Sequence, residues 1–196
     1  MIRKLSCLLV LAATATACGT DLDNAGDPAD PAVNALEASG KVEFFVKLVS
    51  ANGTPFRGET TNSRFLGSSP AIRFYSDVNR STTTGTHCTE FTFTKVAAPA
   101  DPQIYSAVAS GETLQSVHFD FVTSDNFVWQ KIDLAGVRIS RVEQAVAPPE
   151  DVPGSLILEE VTMVPVNTAT VTLTALVRNP DGSGGPSIVS TITCAK

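Results

Sequence analysis

The sequence is poor in charge and in aromatic side chains: 17% of its 196 residues are charged and 7% aromatic, with one Trp, two Tyr, two Met and two His. It has no clustered basic stretch, and its 14 Lys and Arg against 20 Asp and Glu give a formal charge of −6. Nucleic acid is therefore excluded as a partner on bulk electrostatics, because a polyanion binds where bases gather and here they stand singly. No Gly-x-Ser-x-Gly, Cys-x-x-Cys or His-Glu-x-x-His occurs, so the common serine-hydrolase and zinc signatures are missing and no cofactor is implied. An apolar run long enough to span a bilayer is missing as well. What the chain does hold is Val, Ile, Leu and Phe in short Thr-rich runs, the composition of a β domain rather than of a disordered chain.

The amino terminus carries an address. Arg3 and Lys4 precede an apolar run from Leu5 to Ala15, the pattern of a signal peptide over residues 1–17. Ala15-Thr16-Ala17-Cys18 resembles the lipobox of bacterial lipoproteins, in which the Cys becomes the lipidated first residue; Ala15 and Ala17 also satisfy an ordinary small-x-small cleavage site. If lipidated, Cys18 carries several acyl chains, each buried methylene contributing about 0.8 kcal/mol, enough for stable anchoring. Gly19 stands where lipoproteins kept at the inner membrane have Asp, which implies outer-membrane sorting. Residues 18–40 then form an acidic tether: Asp21, Asp23, Asp27, Asp30 and Glu37 have no basic neighbour there, and the stretch cannot bury a core. The run from Asp21 to Asp27 only faintly echoes a calcium loop, since Ala25 and Ala32 occupy ligand positions.

Residues 41–196 form the folded domain. Strand period is clearest from Thr170 to Val177, where Val171, Leu173, Ala175 and Val177 alternate with mostly polar positions. Similar runs at 42–49, 71–77, 89–96, 116–123, 127–134, 136–143, 156–164 and 187–194 bring the count to about nine strands, and predict a mainly β, antiparallel barrel or sandwich. One short side helix is expected at 101–111. There Asp101 can cap, Pro102 suits the first turn, Ile104, Tyr105 and Val108 share a face, and Gly111 suits the exit.

Several segments recur in the order of a known family. They are Gly58-Glu59-Thr60-Thr61, Phe91-Thr92-Phe93-Thr94-Lys95, Pro102 with Ala107, Ala109 and Gly111, and Val117-His118-Phe119-Asp120-Phe121. After them come Ile132 to Ser140, Glu159-Glu160-Val161-Thr162-Met163 and Asp181-Gly182-Ser183-Gly184-Gly185-Pro186. From about Val42 to Thr193 the chain resembles the haemolysin-coregulated (Hcp) proteins, the tube subunits of type VI secretion. That resemblance implies a small β-barrel with one side helix, assembly into hexameric rings that stack as a tube, and a non-catalytic role with protein cargo or envelope partners. Residues 50–70 are the counterpart of the family's inter-subunit segment, and their Gly, Ser, Asn and Thr content suits a projecting loop, whether or not it makes contacts. In the hairpin from Asp181 to Pro186, Gly182, Gly184 and Gly185 allow positive φ and Pro186 stiffens the exit.

The export signal departs from that family, whose tube subunits are made without one and assemble in the cytoplasm. A monomeric, envelope-anchored binding module that keeps only the barrel is therefore the competing reading. Once Cys7 leaves with the signal and Cys18 takes lipid, Cys88 and Cys194 remain as an even pair, and outside the cytoplasm a disulfide is the expected state. Strand parity opposes it unless a bulge intervenes, because Cys194 shares a face with Ile192 whereas Cys88 lies opposite Phe91 and Phe93. Chemistry finds little foothold. His87 and Cys88 point to opposite faces, His118 sits with Asp120 on the polar face, Glu159 and Glu160 diverge, and Trp129 with Phe127 suits packing. The chain is accordingly read as no enzyme.

Overall fold

A computed structural model describes residue 37 and residues 42–81, 85–98, 101–146 and 156–196. The signal segment, Cys18 and all of the tether except Glu37 lie outside the described residues. In chain order the elements are β1 (Phe44–Val49), a 3-10 turn (Ser63–Phe65), β2 (Ser69–Ser81), β3 (Gly85–Val96), α1 (Asp101–Ser110), β4 (Ser116–Val122), β5 (Val128–Val146), β6 (Ile157–Arg178) and β7 (Gly184–Ala195). The strands close a barrel in the order β1-β2-β3-β7-β6-β5-β4, with β3 pairing β6 in addition.

All nine expected segments are strands, yet they make seven elements. The runs 127–134 and 136–143 are one strand, as are 156–164 and 170–177. Gly136 (φ 76°) interrupts the β5–β6 ladder between Ala135 and Val137 without ending either strand. A Cβ there would come within 2.4 Å of the Thr168 carbonyl oxygen, so glycine is required for the close approach as well as for its backbone angle. Pro165 and Asn167, which read as a joint, lie in the β6 corner opposite this bulge.

Strand alternation builds the core. Phe44, Val46 and Leu48 of β1 meet Phe91 and Phe93 of β3, Val117 and Phe119 of β4, Leu134 of β5 and Val171 of β6. Phe119 packs edge-on against Phe44, Phe74 and Phe93 at centroid distances of 5.8, 4.9 and 5.9 Å. Each such ring contributes about 1.5–3 kcal/mol by burial, so this inner cluster dominates the stability of the domain.

Helix α1 lies where expected and ends at Gly111 (φ 65°), whose N–H reaches the Ala107 carbonyl at 3.0 Å. Its buried face carries Ile104 and Ala107, while Tyr105 is 43% exposed. The helix enters the core by one turn's spacing, and Tyr105 falls outside that arc.

Candidate functional site

The segment between β1 and β2 folds back onto the barrel instead of projecting. Two aromatic rings account for this: Phe56 joins the central core, and Phe65 stacks on Phe45 at 4.1 Å on the outer wall beside Val122 and Val128. At Gly58 a Cβ would meet the Gly67 backbone at 2.2 Å, so the two limbs of the loop touch. Thr60 N–H bonds the Ser68 carbonyl at 3.0 Å, and Arg57 N–H bonds Gln103 Oε1 of α1 at 2.6 Å. From the segment expected as a tether, Glu37 accepts hydrogen bonds from the Thr60 and Thr61 hydroxyls, the latter at 2.7 Å.

Beneath this loop lies a buried ionic cluster. Lys95 closes the apolar face of β3 formed by Phe91 and Phe93 and is only 1% exposed. Its Nζ lies 2.6 Å from Asp101 Oδ1, 3.5 Å from Glu159 Oε2 and 3.6 Å from Glu59 Oε1, and donates to the Val96 carbonyl at 3.1 Å. Burial opposes the charge on Lys95, but its three carboxylate neighbours together raise its pKa above the ordinary range. Glu159 is fully buried, and that desolvation lifts its carboxyl to a pKa of about 7 against the pull of Lys95, with the hydrogen bond and charge of Asp101 adding to the rise. Gln144 donates to Glu159 Oε1 at 3.3 Å, and the Tyr105 phenol also bonds Glu159. Asp101, expected as a helix cap, instead spends its two oxygens on Lys95 and on the Ala98 N–H.

The opposite end of the barrel is open. Along β6, the inward positions pass from buried Val171 through half-buried Leu173 to exposed Ala175 and Val177. Their β7 partners follow the same gradient, from Ile192 to Ile188, which is 68% exposed. The connecting turn is built by Asp181, whose Oδ1 accepts from Ser183 N–H at 2.9 Å and Ser183 Oγ at 2.6 Å; these bonds depress its pKa. Of the expected turn glycines only Gly182 has positive φ, at 84°. Gly184, Gly185 and Pro186 already belong to β7. Gly185 answers to space, since a Cβ there would lie 2.7 Å from Asn179 Oδ1.

The remaining candidates are placed as follows. Cys88 and Cys194 are joined as a disulfide with Cα atoms 5.5 Å apart. The bulge that parity demanded is present: the β2–β3 register shifts between Asp77/Glu90 and Val78/Cys88, and Thr89, the extra residue, lets Cys88 face inward with Phe91. Next to this bond runs the barrel's seam, where among the described residues β3 and β7 share the single bridge His87↔Ala195. His118 pairs with Asp133 across the sheet rather than with Asp120: Nδ1 lies 2.5 Å from Asp133 Oδ1, and Nε2 lies 2.9 Å from Ser116 Oγ. This chain has the order of a nucleophilic triad, but His118 and Asp133 are over 40% exposed on a barrel wall. Neither of two shallow concavities, of about 150 and 330 Å³, includes them. Glu160 faces outward to Arg141 at 3.7 Å, away from Glu159. Trp129 packs on Phe121 at 5.8 Å, whereas Phe127 lies under the Arg178 guanidinium at 5.0 Å. No group of three metal-ligating side chains occurs among the described residues, and none of their helices is long and apolar enough to cross a membrane.

The Lys95 cluster escaped the reading of the sequence. Its signal was present in the alternation: Lys95 continues the Phe91–Phe93 face and Glu159 continues the Val161–Met163 face, so each puts a charge at the end of an apolar row.

A closed seven-stranded barrel, one side helix at its sealed end and a long loop laid across the rim define a small class of β-barrel proteins. The family model of type VI secretion system effectors, Hcp, matches residues 51–174, and the chain belongs to that family. Among solved structures, a doubly substituted Hcp1 from the E. coli EAEC 042 pathovar is 21% identical with a TM-score of 0.58, over 77% of this chain and 98% of that one. A type VI secretion system effector from Yersinia pestis is 17% identical with a TM-score of 0.58, over 76% and 98%. Hcp1 from Salmonella typhimurium is 14% identical, also at 0.58, over 76% and 93%. At these identities the likeness shows the shared fold. No curated protein matches the chain.

Proposed function

We propose that this chain is a non-catalytic, exported member of the Hcp family, anchored at the outer membrane through lipid on Cys18, that serves as a ring-forming or secretion-associated structural protein. The observation that carries this reading is the family match over 51–174, on a barrel whose long loop and C-terminal hairpin both offer surface to neighbours. In this reading residues 1–17 are removed, residues 18–40 tether the domain, and residues 41–196 fold as the barrel that takes protein partners. A disulfide between Cys88 and Cys194 belongs to the same reading, because the exported compartment is oxidising.

Light scattering with negative-stain imaging of the same sample tests the proposal. A six-fold ring is the expected result; monomer alone at high concentration overturns the ring-forming part. The second reading, a monomeric envelope-anchored binding module, is favoured by Arg3, Lys4, the apolar run and Cys18, since an exported chain cannot readily be loaded from the cytoplasm. Metabolic labelling with a fatty acid decides the anchor: label retained by wild type and lost in Cys18→Ser is expected, and an unlabelled wild type removes it.

A further inference from the structure

The loop over residues 50–68 is joined to the barrel through charge as well as through its aromatic rings. Glu59 is its one acidic residue, and it shares Lys95 with Asp101 and Glu159. At the closed end three carboxylates surround the ammonium of Lys95 on β3: Glu59 from the loop, Asp101 from α1 and Glu159 from β6. Tyr105 from α1 and Gln144 from β5 flank the cluster from its exposed side, both hydrogen-bonding Glu159. Outside it, Glu160 and Glu143 face Arg141 on the far side of the sheet, and Glu37 sits on the outer side of the loop.

If every carboxylate is ionised, the cluster holds a surplus of two negative charges largely buried, with only Asp101 reaching solvent to any extent, which the low local dielectric makes costly. One proton relieves this, and it belongs with Glu159, the member with no exposure at all. Of the three acids, Asp101 is fixed in a helix and Glu159 in a sheet ladder. Glu59 alone sits in a segment without a ladder, so it is the one able to leave.

We propose that this cluster is a proton-controlled latch on the loop: with a proton on Glu159, Glu59 stays with Lys95 and residues 57–62 lie closed on the rim, and loss of that proton drives Glu59 out and frees the segment. The inference rests on the reading of this loop as an assembly surface, and supplies its regulation: the segment is presented to a neighbouring copy at alkaline pH and withheld at mildly acidic pH. Glu159 loses its proton near the pKa of about 7 given above, so the change falls in the neutral range.

Hydrogen exchange by mass spectrometry on the full chain tests it, with rates corrected for intrinsic pH dependence. The amides of Arg57 and Thr60 report directly, because their bonds to Gln103 and Ser68 close the loop. Between about pH 5.5 and about pH 8.5 the corrected exchange of residues 57–62 should rise by about tenfold or more, the factor that one pKa unit of coupling gives. Glu159→Gln should hold the loop at its low-pH protection throughout, and Glu37→Gln should keep the response. Unchanged exchange in wild type overturns the latch, even if the Gln variant does not fold. A response that survives in Glu159→Gln, or that disappears in Glu37→Gln, overturns it too, by placing the proton elsewhere. A switching loop on a chain that stays monomeric at both pH values would sink the ring reading and leave the latch standing.

Discussion

The two ends of the barrel differ in how they finish the same sheet. At one end, β3, β5 and β6 run into α1 and the folded-back loop, and the inner face ends in Lys95, Glu159 and Gln144. At the other, the β6–β7 hairpin runs on past the core with Val177 and Ile188 uncovered. The first end is closed by its own chain and the second is left to solvent or a partner. Polar groups buried without water must find each other, so the sealed end needs several exact side chains; the open end needs only strand and turn.

Substitution should expose this asymmetry most at Lys95. Lys95→Met strands three carboxylates near one another, and a loss of about 3–5 kcal/mol in urea unfolding is expected; restoring charge balance with Glu59→Gln and Glu159→Gln in the same chain should recover most of it. Removing the disulfide with paired Cys88→Ser and Cys194→Ser should cost about 2–5 kcal/mol, the range for closing a long loop. Non-reduced peptide mapping gives the direct check, and two free thiols in the folded protein would remove that expectation.

Between about pH 4.5 and 7, titration should act on the sealed end through Glu159. Glu159 has a folded pKa of about 7 against an ordinary value of 4.5, so the folded chain binds more protons than the unfolded chain between those values. Stability is then greatest at or below about pH 4.5 as far as this group is concerned, and falls as pH rises towards 7, on the order of 1–3 kcal/mol. Thermal melts across that window should slope downward for wild type and lie flat for Glu159→Gln. The smallest effect belongs to the open end: Ile188→Thr should change unfolding free energy by less than about 0.5 kcal/mol. A loss of 2 kcal/mol there would mean that the open face is covered in solution, and the comparison between the ends would need redrawing.

The same contrast marks what could be read from sequence. Alternation in β1, β4 and β6 gave each strand its inner face, and Asp101, Pro102 and Gly111 bounded the helix, because these signals are local. The breaks expected between 134 and 136 and between 164 and 170 do not end the strands, because a long strand that turns a corner uses Gly136 and Pro165 in the same way as a joint. Parity at Cys88 depended on Thr89 bulging, which only the partner strand β2 reveals. The ionic cluster joins Glu59, Lys95, Asp101 and Glu159 from four elements, so alternation marks Lys95 and Glu159 as charges at the ends of apolar rows but does not bring the four together. His118 found Asp133 rather than Asp120 because cross-strand neighbours lie closer than the adjacent acid on its own strand.

The seam between β3 and β7 bears on the order of events in the life of such a chain. Backbone pairing contributes one bridge there, and a sulfur–sulfur bond stands next to it. On the proposal that the chain is exported, it crosses the membrane as an open thread, and thiols kept reduced during the journey leave this edge unfastened. Fastening then awaits an oxidant on the far side. Completion of the barrel in that sequence would record arrival, making the cysteine pair a chemical postmark of the compartment in which the protein matures.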